Sequence, residues 1–70
     1  MFWWFERGGR YVRCEAQEMA TGEYELRIVS PDGSERVEHF SDPSELTKRQ
    51  HDVIDEITRD GWTGPHGWVL

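Results

Sequence analysis

Seventy residues make one small domain, which buries only about 60% of its extended-chain surface on folding. The formal charge of −6, from 14 acidic against 8 basic residues, argues against nucleic acid and anionic membranes as partners. No apolar run is long enough to span a bilayer, and a lone cysteine excludes an intrachain disulfide and makes the reducing cytosol the expected compartment.

The elements follow in chain order. Residues 2–7, FWWFER, are β-prone, and Gly8-Gly9 then provides a two-residue hairpin turn, because both positions accept positive φ. The second strand covers 10–19, where Val12, Cys14 and Ala16 alternate with Arg13, Glu15 and Gln17, the period of a half-buried strand. Thr21-Gly22 turns into a third strand, 23–30, in which Tyr24, Leu26 and Ile28 alternate with Glu25 and Arg27. Pro31-Asp32-Gly33 is the next turn. The fourth strand, 34–40, holds Val37 and Phe40 out of phase by one. That predicts a bulge near Glu38-His39, or a strand that ends before Phe40 and lets that ring fold under the helix.

A helix is predicted over 43–60. Asp42 is the N-cap, Pro43 takes the first position, and Glu45 completes a capping-box pattern. Leu46, Val53, Ile54 and Ile57 form one apolar stripe, and Asp55 precedes Arg59 by four residues. Gly61 stops the helix, and Trp62 folds back on its last turn. Residues 63–70, TGPHGWVL, with two Gly and one Pro, read as a flexible tail outside a single domain of 1–62.

The fold class is therefore α+β: a four-stranded antiparallel meander followed by one C-terminal helix packed on the sheet, ββββα. The expected core is Val12, Cys14, Leu26, Ile28, Val37, Leu46, Val53, Ile54 and Ile57, plus one pair from the aromatic run.

The residues able to carry chemistry form no recognised constellation. His51 and Asp55 lie one helical turn apart, which suits an exposed ion pair more than a catalytic base. His39 sits near a strand end, and His66 lies in the tail. Cys14 alternates with Val12 and Ala16, so it reads as a small core hydrophobe and not as a nucleophile. Cys14, His39, His51 and His66 have no zinc spacing, and no glycine-rich segment precedes a helix as a phosphate loop does. Neither a metal nor a cofactor is implied, and an enzyme built on His and Asp is the weakest reading. The MFWWF start, followed by Glu6, lacks the basic segment and cleavage site of a signal peptide. Seven Arg among eight basic residues, with no Asn, hint at a GC-rich bacterial genome.

The aromatics exceed what one core absorbs. Phe2, Trp3, Trp4 and Phe5 are consecutive, so a strand must send them to both faces, and Trp62 and Trp68 add two rings near the C-terminus. A helix about 10 Å across cannot cover both faces of a four-stranded sheet. The predicted interface is one aromatic pair from Phe2, Trp3, Trp4 and Phe5, together with Tyr11, Val29 and Phe40, and its simplest occupant is a second copy in a homodimer. The ββββα order is similar to a repeat of the PUR-type nucleic-acid-binding domains, a likeness of element order alone. A second reading, from the residues themselves, is single-stranded nucleic-acid binding, because Trp3, Trp4, Tyr11 and Tyr24 offer stacking faces and Arg7, Arg10, Arg13, Arg27 and Arg36 all fall in the sheet half of the chain. Glu6, Glu15, Glu23, Glu25, Glu35 and Glu38 occupy the same strands and weigh against it. A small non-catalytic, self-associating interaction module is the leading expectation.

Overall fold

A computed structural model describes residues 1–67. Four strands form the meander: β1 (Phe2–Arg7), β2 (Arg10–Glu18), β3 (Tyr24–Val29) and β4 (Glu35–Phe40). They are followed by helix α1 (Pro43–Arg59) and a short strand β5 (Thr63–His66). The sheet order is β4-β3-β2-β1-β5, antiparallel throughout. The ββββα fold is thus present, with one addition. Thr63–His66, read from the sequence as part of a flexible tail, pairs with β1 and widens the sheet to five strands. The Thr63 hydroxyl donates to the Glu6 carbonyl at 3.0 Å, which secures that start. Trp68 lies outside the described residues.

Strand alternation decides which face each side chain takes. Trp3 and Phe5 of β1, Val12, Cys14 and Ala16 of β2, and Leu26 of β3 are buried beneath α1 with Leu46 and Val53. Tyr24, Ile28, Phe40, Ile54, Ile57 and Trp62 close around them, half-buried.

Two expectations for β4 are corrected here. The strand pairs with β3 in unbroken register from Tyr24↔Phe40 to Val29↔Glu35, with no bulge at Glu38-His39. The sheet's irregularity lies instead between β1 and β5. Phe40 consequently packs on the helix side, and Val37 points to the other face, 41% exposed, outside the core. Regular pairing keeps the β4 backbone groups that face β3 in the ladder, and that outweighs burying one valine.

The helix ends obey local chemistry. Asp42 Oδ1 accepts from the backbone N–H and the hydroxyl of Ser44, both at 2.8 Å, satisfying an orphan donor of the first turn. At the other end Gly61 N–H donates to the Thr58 carbonyl and Trp62 N–H to that of Ile57, the paired bonds of a Schellman stop. Arg49 holds the helix to the sheet: its guanidinium donates to both oxygens of Glu38 on β4, at 2.9 and 3.2 Å. Arg7 reaches from the β1–β2 hairpin to the Asp60 carbonyl at 2.7 Å, tying the hairpin to the helix C-terminus. Gln50 lies on the apolar stripe between Leu46 and Val53 and is buried with them, a burial its polarity conceals in the sequence.

Candidate interaction surface

The face of the sheet opposite α1 is built from the residues that alternate with the core. Cross-strand register arranges them in rows. One row runs Phe2, Glu15, Arg27, Val37 from β1 to β4. The next runs His66, Trp4, Arg13, Val29, Glu35 from β5 to β4. Gln17, Glu25 and His39 form a third row beyond the first, and Glu6 with Tyr11 forms a fourth beyond the second.

The β3 part of this face is internally satisfied. Glu25 is buried to 6% exposure although it is charged and has no helix above it. Its carboxylate accepts from Gln17 Nε2 at 2.9 Å and from Arg27 Nη2 at 3.2 Å, and His39 Nε2 stands 3.8 Å away. The Gln17 hydrogen bond, then the one from Arg27, hold the Glu25 carboxyl below its ordinary value. Arg27 also reaches Glu35 at 3.4 Å, so one guanidinium bridges two acids. Sequence spacing shows Glu25 and Arg27 on one face, but only the register adds Gln17, Glu35 and His39.

The β1–β2 part is different. Phe2 and Tyr11 are about half exposed, and Trp4 is half-buried. The Phe2 and Trp4 rings lie 6.0 Å apart, and the His66 ring lies 6.0 Å from Trp4 on its other flank. Gly67 passes so close that a Cβ there would collide with the six-membered ring of Trp4. Part of the aromatic surplus is thus covered by the chain's own C-terminal segment. Between the aromatics and the β3 network stand Arg13 and Glu15, both exposed, and neither makes an ion pair among the described residues. A shallow concavity of about 320 Å³ opens there, lined by Phe2, Arg13, Glu15, Arg27, Val29 and Glu35.

The predicted interface residues therefore divide. Phe2, Trp4, Tyr11 and Val29 share the open face, whereas Trp3 and Phe5 are fully buried on the helix side and Phe40 is half-buried with them. The order of the two aromatic pairs was undecided in the sequence. Phe5↔Val12 and Trp3↔Cys14 pairing places Trp3 and Phe5 with the core residues of β2.

The structure does not gather the titratable candidates. His39 lies on the open face, His51 and Asp55 on the exposed side of α1, His66 on β5, and Cys14 in the core. Burial pushes the Cys14 thiol up to about 12, opposite to the shift an activated nucleophile needs. Among the described residues no three His, Cys, Asp or Glu side chains converge as a metal site would require. No described helix is long and apolar enough to cross a membrane. No family model matches the chain, and no curated protein or solved structure matches it.

Proposed function

We propose that this chain is a small non-catalytic interaction module that self-associates through the open face of its sheet. The observation that carries the reading is the placement of Phe2, Trp4 and Tyr11 on that face, beside Arg13 and Glu15, which make no ion pair among the described residues. Aromatic rings and an arginine exposed together on an open sheet face form the composition of an interface core. The free, buried thiol of Cys14 suits a reducing compartment, so the cytosol is the proposed location. Sedimentation equilibrium over concentrations rising from the micromolar range tests the reading: the mass is expected to climb towards twice 8.3 kDa, and a mass that stays at 8.3 kDa rejects it.

Single-stranded nucleic acid is the competing partner, because Trp4, Tyr11 and Arg13 share the open face. Against it, Trp3 is buried and Tyr24 packs on the helix side, so two of the four stacking candidates are withdrawn. Arg27 is engaged by Glu25 and Glu35, and Arg36, opposite Ile28, faces the helix side. What remains of the face is more acidic than basic, which leaves little counterion release to drive binding. Titration with a 20-nucleotide strand at low salt is expected to leave tryptophan fluorescence unchanged. Saturable quenching that salt abolishes would favour this partner over self-association.

A further inference from the structure

The rows of the open face are complementary to each other, and that complementarity specifies a geometry for the pair. A two-fold axis perpendicular to the strands, passing between the Phe2–Val37 row and the Trp4–Glu35 row, would lay each row over the other in the second copy. Phe2 then meets the partner's Trp4, Glu15 meets the partner's Arg13, and the Arg27 stem meets the partner's Val29, each contact occurring twice. An axis running along β2 would instead stack Arg13 on Arg13 and Glu15 on Glu15. Like charges facing each other across an interface cost several kcal/mol, so the first axis is strongly preferred.

Resting on the self-association reading above, we propose that two copies pack sheet to sheet about this perpendicular axis, with reciprocal Arg13–Glu15 ion pairs at the centre and Phe2–Trp4 contacts beside them. Two observations and one general dimension converge on it. Arg13 and Glu15 occupy adjacent rows of the central strand and make no ion pair among the described residues, while the neighbouring Arg27 and Glu25 are paired. The aromatic rings occupy the same two rows, one strand away. Stacked sheets lie about 10 Å apart, a gap that facing Arg and Glu side chains span together. The face measures roughly 19 Å by 20 Å, so the interface is small and the complex belongs to the weak, micromolar class. The formal charge of −6 opposes approach at long range, and physiological salt, with a Debye length of about 8 Å, screens most of it.

Charge reversal tests the register. In 0.15 M salt, Arg13→Glu and Glu15→Arg are each expected to weaken dimerisation at least about tenfold, because each places like charges together twice. An equimolar mixture of the two variants, and the double variant R13E/E15R, should both return to within about threefold of the parent. Recovery in the mixture also shows that both single variants are folded. Single reversals without effect, or a double variant as weak as the singles, overturn the register. A dimeric parent chain would in that case still support self-association, without placing it on this face. A parent chain that stays monomeric overturns both proposals.

Discussion

The two faces of the sheet come from the same strands and handle charge in opposite ways. Beneath α1, apolar side chains fill the space, and charge is admitted only at the rim, where Arg49 clamps Glu38. No described helix lies over the open face, so a carboxylate as shielded as Glu25 depends on Gln17 and Arg27 lying on neighbouring positions. Burial by a helix thus secures one face through packing, and hydrogen-bonded charge secures half of the other. The remaining half, around Phe2, Tyr11, Arg13 and Glu15, has neither device among the described residues, and the proposed interface lies there for that reason.

Substitution of neighbouring tryptophans tests this division most severely. Trp3 is fully buried, and Trp3→Ala is expected to cost about 3–5 kcal/mol, enough to unfold most of a domain this small. Trp4→Ala should cost less than half as much by urea denaturation, since Trp4 keeps part of its surface in water. Equal losses would mean that the turn through Gly67 makes Trp4 a core residue, and the two faces would no longer differ.

Cys14 probes the covered face kinetically. With its thiol pushed up to about 12 from an ordinary 9.0, the thiolate at pH 8 is about a thousandfold scarcer than in an unfolded chain. Alkylation of the native protein should therefore proceed only through unfolding, and its rate should follow urea concentration. Rapid labelling without denaturant would show that α1 does not seal this face.

Acid probes the open face. Glu25 has a native value below its ordinary 4.5, so the unfolded chain takes up the proton first as pH falls. The stabilisation from its hydrogen bonds is complete above about pH 4.5 and declines as pH drops through the native value. Asp32 and Asp42, lowered chiefly by backbone hydrogen bonds from Ser44 to Asp42 and from Ser34 to Asp32, decline in the same direction. Glu25→Gln should be less stable at pH 7 and show a flatter profile below pH 4.5 in thermal melts. An unchanged profile would mean that Gln17 and Arg27 do not hold the carboxylate.

The smallest effect concerns the two valines that the sequence treats alike. Val37→Thr, on the open face, should shift stability by less than about 0.5 kcal/mol. Val53→Thr, at 2% exposure, should cost about 1–3 kcal/mol because its hydroxyl would be buried without a planned partner. A large loss at Val37 would show that a second copy, or the sheet itself, already buries it.

The four meander strands and the helix, though not β5, were legible in the sequence because each rests on neighbouring residues. Gly8-Gly9, Pro31-Asp32-Gly33 and Asp42-Pro43 punctuate the chain by backbone geometry that no distant contact has to supply. Alternation in β2 and the apolar stripe of α1 likewise announced Val12, Cys14, Leu46 and Val53 as core. Tertiary structure decided what local pattern leaves degenerate. In FWWFE both alternating pairs are aromatic, so only pairing of Trp3 with Cys14 and Phe5 with Val12 selects the buried pair. In β4 the out-of-phase Val37 and Phe40 compete, and the unbroken ladder to β3 settles which one faces the helix. The Glu25 network, the tail's return to β1 and the alternation of Arg13 with Glu15 beside the aromatic rows all depend on register. Register joins residues distant in sequence, and a local period carries no information about which strands will meet.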